Sequence, residues 1–245
     1  MTDRQPAPAT PRVAFVTGGT RGIGLAVARR LASQGHRVAI GSRTEPDHTD
    51  DDLLWVPLDI ADQGSVDAAY ATVTERLGSP GIVVANAGIT RDTLVLRMSE
   101  DDFTTVVDVN LNGAFRTAKA ALRPMMKARW GRIVFISSVV AGLGQVGQAN
   151  YSAAKSGLGG LARSLAREYA SRGITVNLVA PGPIDTDMLA EIGDDGVAAM
   201  VEQVPVGRVG TADEVAGAVA YLCSEDAAYV TGVTLGVDGG LGMRP

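Results

Sequence analysis

The chain has 245 residues and a net charge of −5, with 46% hydrophobic and 20% charged residues. This composition allows a sizeable hydrophobic core and argues against a nucleic-acid-binding surface, which needs clustered positive charge. No apolar run approaches the roughly 18 residues of a membrane span, and no secretory signal is evident. The single cysteine, Cys223, excludes an internal disulfide; we expect it to be buried, and we expect a cytoplasmic location, where thiols stay reduced.

The first eleven residues are polar and rich in proline, which predicts a flexible tail over 1–11. Over 12–245, short apolar runs alternate with amphipathic segments, as expected of one α/β domain with a parallel sheet. The predicted strands are 12–16, 36–43, 53–58, 81–85, 131–138, 174–179 and 232–237. The predicted helices are 25–34, 66–77, 99–126, 151–171 and 211–222.

A glycine-rich turn, Thr17-Gly-Gly-Thr-Arg-Gly-Ile-Gly24, stands between the first predicted strand and the first predicted helix. Gly18 permits a tight turn, and Gly22 and Gly24 let backbone amides and the helix N-terminus approach a pyrophosphate. The spacing differs from the commoner Gly-x-Gly-x-x-Gly. Its place directly between a strand and a helix nevertheless predicts a dinucleotide site.

The second predicted strand ends in Ser42 and Arg43, where an NAD site usually has an acidic residue. Together with Arg21 in the glycine turn, two guanidinium groups would fit a 2′-phosphate, so we expect NADP(H). The acidic segment 45–52 would weaken phosphate binding if it folded back over the site, but we expect a solvated loop. The interval before the third strand is short, which favours a loop or single turn over a crossover helix.

Polar or small residues follow the next two predicted strands. Asp59 ends the third strand, beside Ile60, and its carboxylate could accept the adenine amino group. The fourth strand runs into Asn86-Ala87-Gly88, where small side chains would let a ribose lie close to the backbone. Asn110 interrupts the helical pattern that starts at Ser99. A backbone break, a bound water and a simple helix-face asparagine are all possible there.

Tyr151 and Lys155 are four residues apart in a predicted helix, so both side chains would share one face. An ammonium beside a phenol predicts that the tyrosine pKa falls from about 10 toward neutrality. Such a tyrosine could donate a proton to a carbonyl oxygen, and Ser138, at the end of the fifth strand, could hold that oxygen. A Tyr-x-x-x-Lys pair can also be a solvated helix face; the glycine turn in the same chain favours catalysis.

These motifs, in this order and with Pro181-Gly182, resemble those of the short-chain dehydrogenase/reductase family. The resemblance implies a single Rossmann-like doubly wound domain whose parallel seven-stranded sheet, in the order 3-2-1-4-5-6-7, has helices on both faces. It implies a catalytic tetrad of Asn110, Ser138, Tyr151 and Lys155, with Asn110 placing a water that links Lys155 to solvent. The implied cofactor-binding residues are Gly18, Thr20, Arg21, Gly22, Ile23, Gly24, Arg43, Asp59, Ile60, Asn86, Ala87, Gly88, Tyr151, Lys155, Ile184 and Thr186.

Within the family, the stretches 88–94, 147–151, 185–188 and 237–240 are similar to bacterial, actinobacterial-type 3-oxoacyl-[acyl-carrier-protein] reductases. The resemblance implies NADPH-dependent reduction of a 3-oxoacyl thioester in fatty-acid elongation, and a homotetramer. It also implies docking of the acidic acyl carrier protein near the site mouth on Arg129 and Arg172, with Lys127 and Arg132 nearby. These cations could instead be ordinary helix-end residues. Likewise, the small residues of 153–162 would suit packing within one chain as well as between chains.

The polar, glycine-bearing segment 185–204 is predicted to be a lid or mobile loop that decides which carbonyl compound is reduced. Two other functions stay open. The same chemistry could act on acetoacetyl-CoA, a polyketide, a sugar or a steroid, because these motifs define the reaction better than the substrate. A non-catalytic NADP(H)-binding protein is the other alternative, against which the presence of both Tyr151 and Lys155 argues. The sequence has no metal-ligand cluster, so no metal site is expected.

Overall fold

A parallel seven-stranded sheet forms the centre of the computed structural model, which describes residues 10–47, 50–190 and 193–243. Its order, β3-β2-β1-β4-β5-β6-β7, confirms the predicted fold class. The predicted tail falls mainly on residues 1–9, which lie outside the described residues. The strands are β1 (Val13–Thr17), β2 (Arg37–Ser42), β3 (Leu53–Pro57), β4 (Ile82–Ala85), β5 (Gly131–Ile136), β6 (Ile174–Pro181) and β7 (Thr234–Val237).

Helices cover both faces of this sheet. The α-helices are α1 (Gly22–Ser33), α2 (Gln63–Leu77), α3 (Glu100–Val107), α4 (Gly113–Ala128), α5 (Val140–Leu143), α6 (Ala149–Tyr169), α7 (Asp187–Ala190), α8 (Asp194–Val201) and α9 (Ala212–Cys223). One face is packed by α2, α4 and α6, and the other by α1 and α9. In the part of the chain that is described, the connection between β2 and β3 contains no helix, as predicted. A search of the same residues for a helix with the length and hydrophobicity of a membrane span found none.

The central strands are buried along their whole length because both of their faces are covered. In β1, Phe15 points to the α2 side, where its ring meets Tyr70 edge-on at 5.2 Å between centroids. The next residue, Val16, points to the opposite side and packs with α1 and α9. Every residue of β5 and β6 is buried in the same way, whereas β7 is an edge strand and is half exposed.

Helix starts agree closely with the sequence. Ser99 and Asp102 form the capping box that opens α3, and Thr211 and Glu214 form another that opens α9. The segment expected to be a loop, 185–204, differs: it contains the short helices α7 and α8. Asp187 supplies an acidic first residue to α7, a signal that the polar composition obscured.

The strand order reverses between β1 and β4. These two strands pair directly, although β2 and β3 lie between them in the chain. In open α/β sheets, the crevice at the carboxyl ends of two such strands is the usual ligand site. The glycine turn follows β1, the 86–88 loop follows β4, and Ser138 follows β5. The topology therefore brings the predicted site residues to one edge of the sheet.

Candidate active site

The glycine turn is fastened to the loop after β4 by a hydroxyl and an amide. Thr17 Oγ1 accepts hydrogen bonds from the backbone N–H groups of Asn86 (3.1 Å) and Ala87 (3.2 Å). The Asn86 side-chain amide donates to the carbonyl oxygens of Gly18 (2.9 Å) and Thr17 (3.1 Å). Asn86 thus holds the turn itself. Thr17 was missed in the sequence because a threonine at a strand end is commonplace.

The turn leaves room that only glycine permits. Gly18 has φ +63°, and a Cβ atom there would lie 2.9 Å from the Ala87 Cα atom. Gly22 has φ +51° and is the first residue of α1, whose first turn carries no acidic residue. Thr20 and Ile23, which belong to the glycine-rich segment 17–24, are partly buried. Within the described residues, the Arg21 side chain does not cap α1, so the first backbone N–H groups are left for an anion. This cradle fits the pyrophosphate of a dinucleotide.

The two arginines predicted to bind a 2′-phosphate, Arg43 and Arg21, lie at different sides of the cradle. Arg43 is exposed directly after β2, where Ser42 shapes the turn by donating to Thr44 O (2.7 Å) and accepting from Trp55 Nε1 (2.9 Å). Arg21 is also exposed, with Nη1 3.7 Å from a carboxylate oxygen of Asp187 at the start of α7. Arg43 thus lies beside the end of β2, whereas the Arg21 guanidinium faces α7; a contact of either residue with a 2′-phosphate stays a prediction.

The two residues after β3 differ in what they offer a ligand. The Asp59 carboxylate is half-buried, and one of its oxygens accepts from Ala61 N at 2.9 Å. Ile60 is buried, and its side chain fills the space beside Gly113. Its carbonyl oxygen accepts from Arg116 Nη1 at 3.2 Å. The adenine contact predicted for Asp59 stays possible, whereas the Ile60 side chain supports the core.

Lys155, predicted to be catalytic, is deeply buried at the carboxyl end of β5. Tyr151 and Lys155 share one face of α6, as predicted, with Lys155 Nζ 5.5 Å from the centre of the Tyr151 ring. Lys155 is 4% exposed, and its Nζ donates to the carbonyl oxygen of Ile136 at 2.8 Å. Burial lowers the pKa of Lys155 to about 8.

The expected fall in the pKa of Tyr151 is wrong for this structure. Burial of the phenol raises its pKa to about 12; the hydrogen bond with Ser138 lowers it and the charge of Asp92 raises it. The charge of Lys155, whose Nζ donates to Ile136 O, does not offset this effect of burial. At neutral pH the phenol is therefore protonated and able to donate.

Asn110 marks the predicted break in the helical pattern: residues Asp108–Asn112 form a π-helical turn between α3 and α4. The side chain is buried, so a simple helix-face role is excluded. Its Oδ1 accepts from Ile89 N at 2.9 Å, and its Nδ2 donates to Ile89 O at 2.8 Å. A Cβ atom on Gly88 would lie 2.5 Å from Asn110 Oδ1. Ile89 uses one donor and one acceptor position of this amide, and the water expected at Asn110 stays a prediction.

The segment after β6 begins next to the glycine turn. Ile184 is buried and forms an isolated parallel bridge with Gly210. The Thr186 hydroxyl donates to Ile184 O at 3.2 Å, and its methyl carbon lies 3.4 Å from the position of a Cβ atom on Gly22. Thr186 therefore lies against the start of α1, and the nicotinamide contacts of Ile184 and Thr186 stay predictions.

Arg129 and Arg172 do not lie at the site mouth of their own chain. Arg129 ends α4 with a left-handed φ of 53° and donates to Ser171 O at 3.2 Å; Arg172 directly precedes Gly173 and β6. Both are at the amino edge of the sheet, separated from the catalytic edge by the length of β5, roughly 17 Å. Arg132 is 2% exposed and bonds Glu225, so it is unsuited to docking.

The sequence analysis missed a set of polar contacts at the start of α6. The buried Asn150 side chain donates to Arg91 O (3.0 Å) and Asp102 O (3.3 Å), and its oxygen accepts from Tyr151 N (2.8 Å). Gln148 Nε2 donates to Asp92 Oδ2 at 2.6 Å. Polar residues are ordinary at a helix start, so these partners could not be distinguished by composition.

Known proteins are similar to this chain over nearly its whole length. The protein-family model described as Enoyl-(Acyl carrier protein) reductase matches residues 18–242. The chain is 48% identical over 232 residues to 3-oxoacyl-[acyl-carrier-protein] reductase MabA of Mycobacterium avium, covering 95% of this chain and 90% of that protein. It is 47% identical over 239 residues to the reductase FabG of Escherichia coli, and 48% identical over 242 residues to FabG of Pseudomonas aeruginosa; each match covers 95% of this chain and 98% of the relative.

Proposed function

Because the chain belongs to the short-chain dehydrogenase/reductase family, we propose that it reduces a 3-oxoacyl thioester on acyl carrier protein to the 3-hydroxyacyl thioester. This reaction is the first reductive step of fatty-acid elongation. The observation that supports the proposal is that Tyr151 and buried Lys155 share one face of α6 at the sheet edge that holds the glycine turn, where Ser138 follows β5. The relatives named above carry out the same keto reduction by name.

When bound, NADPH supplies the hydride that reaches C3 of the substrate. Tyr151 donates its phenolic proton to the C3 oxygen as negative charge develops there. The Ser138 hydroxyl donates a hydrogen bond to the same oxygen and orients it. Lys155 places a positive charge beside the phenol, which favours the phenolate that forms once the proton has left.

The cofactor is held by the cradle of Gly18, Gly22 and Gly24, and its 2′-phosphate by Arg21 and Arg43. Replacing Arg43 with alanine removes one of the two guanidinium groups, and we expect the KM for NADPH to rise about tenfold. The KM for NADH, which lacks this phosphate, is expected to stay within about twofold in the same variant. An equal rise in the KM for NADPH and for NADH would indicate that Arg43 supports the folded structure rather than the 2′-phosphate.

A homotetramer is part of the proposal. Two surfaces support it: the exposed edge of β7, and an apolar hollow of about 270 Å³ between α4 and α6 lined by Phe115, Leu161 and Leu165. Phe115 itself is 44% exposed. We expect Phe115→Glu to reduce the mass measured by sedimentation, whereas an unchanged mass would remove this surface from the assembly.

Docking of carrier protein on Arg129 and Arg172 likewise stays a proposal, in a changed form. Since both lie at the amino edge, they would serve the site of another subunit. Charge reversal at both positions should raise the KM for carrier-bound substrate and spare a small thioester. Equal losses on both substrates would argue against docking.

The role of 185–204 as a lid stays a prediction, supported by the contacts of Thr186 and Asp187 with the glycine turn; residues 191–192 lie outside the described residues.

A cytoplasmic location stays a prediction that rests on the single cysteine, Cys223. Its thiol is buried, and burial raises its pKa to about 12.

The function is tested by following NADPH absorbance with acetoacetyl-CoA, with the acetoacetyl carrier protein, and with crotonyl-CoA. We expect oxidation with the first two, faster on the carrier protein, and slower oxidation with NADH. Crotonyl-CoA has no keto group and tests the enoyl reduction named by the family description. If only crotonyl-CoA were reduced, the proposed keto reduction would be wrong and enoyl reduction would take its place. If no thioester were reduced, the substrate would have to be another class of carbonyl compound.

A further inference from the structure

A hollow of about 210 Å³ lies at the amino edge of the sheet, opposite the candidate active site, and two arginines line it. Arg12 directly precedes β1, and Arg37 is the first residue of β2. The two residues are neighbours in the sheet, because Arg37 N donates to Arg12 O at 2.9 Å. Pro80, Met125 and Trp130 line the same hollow. It therefore combines positive charge with apolar walls.

Each guanidinium lies against another residue of the lining. The Cζ atom of Arg12 is 4.2 Å from the centre of the Trp130 ring. Arg37 Nη2 is 3.8 Å from the position that a Cβ atom on Gly78 would take, and Gly78 also lines the hollow. Both charges are thus at the hollow itself.

These two arginines have no acidic partner among the described residues, and neither side chain donates a hydrogen bond there. Arg12 Nε is buried without any hydrogen-bond partner. Arg132 lies over the same Trp130 ring, at 4.6 Å, but donates to three carbonyl oxygens and to the Glu225 carboxylate. Buried polar groups are nearly always hydrogen-bonded, so the free N–H of Arg12 suits an acceptor from outside the chain.

The ends of two helices near the hollow offer a simpler role for these cations. Gly78 is the C-cap of α2 and Ala128 is the last residue of α4, and cations are favourable beside helix C-termini. Within the described residues, however, neither Arg12 nor Arg37 donates from its side chain to a carbonyl oxygen of these helices. The helix ends therefore leave the donors of both guanidinium groups free to bind a ligand.

We propose that this hollow binds a small organic anion, with its acidic group on Arg12 and Arg37 and its apolar part against Pro80 and Met125. Guanidinium groups bind phosphate and carboxylate oxygens in pairs, so a phosphate monoester or a carboxylate is the class that fits. Drug-sized ligands occupy roughly 300 Å³ or more, so a smaller molecule is expected here. The site is distinct from the proposed reduction and does not depend on it.

The test uses Trp130 as a reporter. The chain has two tryptophans, and the other, Trp55, bonds Ser42 at the opposite end of β2. In protein labelled with 5-fluorotryptophan, Trp55→Phe assigns the two ¹⁹F signals. Phenyl phosphate and inorganic phosphate are then titrated with NADP⁺ present, which keeps phosphate out of the glycine cradle. We expect a saturable shift of the Trp130 signal alone, with phenyl phosphate binding more tightly because of its ring.

Charge variants show whether the arginines hold the anion. Arg37 is exposed, so Arg37→Gln should fold normally, and we expect it to raise the Kd for phenyl phosphate at least about fivefold. Arg76→Gln is the matched control: Arg76 is exposed in the last turn of α2, does not line the hollow, and carries the same charge. Its Kd should stay within about twofold of the wild type.

Several outcomes would overturn the site. One is a Trp130 signal that phenyl phosphate does not move, or that sodium chloride at equal ionic strength moves as much. Another is an equal Kd in the wild type and Arg37→Gln, or an equal response to phenol, which lacks the anionic group. If an acidic carrier protein moved the signal while neither phosphate did, the hollow would be a protein contact and the proposed small-anion site would be wrong.

Discussion

The two ends of strand β5 each bury a cation, and the surroundings of these cations differ. At the amino end, Arg132 is 2% exposed and lies 4.6 Å from the centre of the Trp130 ring. Its guanidinium donates to Gly131 O, Gly173 O, Ser224 O and the Glu225 carboxylate. At the carboxyl end, Lys155 is 4% exposed, and within the described residues its ammonium donates one hydrogen bond, to Ile136 O.

Burial lowers the pKa of both groups, but with different consequences. The ordinary pKa of arginine is so high that Arg132 stays charged at any physiological pH. Lys155 reaches a pKa of about 8, close to ambient pH, with donors left over for the site. The comparison shows that a buried charge with a full set of partners stabilises the fold, whereas one with few partners is available for chemistry.

The largest expected effect is on activity, and it should differ between variants at the two ends of β5. Lys155→Met should lower kcat/KM for the keto reduction at least about a hundredfold, because the charge beside the phenol is lost. Arg132→Met should leave kcat/KM within about twofold in the folded enzyme, because Arg132 lies at the opposite edge of the sheet. Steady-state NADPH oxidation measures both. Similar losses in the two variants would show that the ends of β5 are not functionally distinct.

Stability should show the reverse order. We expect Arg132→Met to lower the free energy of unfolding by about 3 kcal/mol, since buried carbonyl oxygens lose their donor. Urea denaturation measures this, with exposed Arg123→Met as the matched control. An Arg132→Met variant as stable as the control would contradict the structural role.

Lys155 should also produce a pH dependence of stability. Its pKa is about 8 when folded and 10.5 ordinarily, so between pH 8 and 9 the unfolded chain binds more protons and stability rises with pH. The wild type should gain about 1 kcal/mol over this interval relative to Lys155→Met. The raised pKa of Cys223 acts in the opposite direction from about pH 8 and that of Tyr151 from about pH 9, in the wild type and in Lys155→Met alike.

Denaturant titrations at pH 8 and pH 9 test this expectation, with exposed Lys127→Met as the control that keeps the wild-type slope. If Lys155→Met and the wild type changed in parallel, Lys155 would not be the source of the pH dependence.

The smallest expected effect concerns the outer partner of Arg132. Glu225 is 62% exposed, so solvent screens its pairing with Arg132. Glu225→Gln should change the free energy of unfolding by less than about 0.5 kcal/mol. A loss comparable to that of Arg132→Met would mean that the ion pair, rather than the buried carbonyl oxygens, accounts for the stability of the amino end.

Much of the fold and the catalytic edge could be predicted because the signals are local. Continuous apolar runs marked the buried strands, and the glycine turn had its expected place after β1. The four-residue spacing placed Tyr151 and Lys155 on one face of α6, and the unfavourable Asn110 marked a real break in the helix. Each of these depends on residues close together in the chain.

What could not be predicted depends on partners far apart in the chain. The pKa of Tyr151 rises because of burial, which no local pattern shows, and Lys155 is held by a backbone carbonyl of β5. The clamp of Asn150 and Gln148 on the loop after β4 joins residues more than forty positions apart. Arg129 and Arg172 were expected at the mouth by resemblance alone, although each lies just before a strand and so at the amino edge of the sheet.

The most direct test of the account is single-turnover reduction of acetoacetyl-CoA by Tyr151→Phe with NADPH bound. Tyr151→Phe removes the proton donor and keeps the ring, so the cofactor should still bind while the reduction rate falls at least about a hundredfold. A variant that binds NADPH and reduces the ketone at a near-normal rate would contradict Tyr151 as the acid, and with it the assignment of catalysis to the carboxyl end of β5.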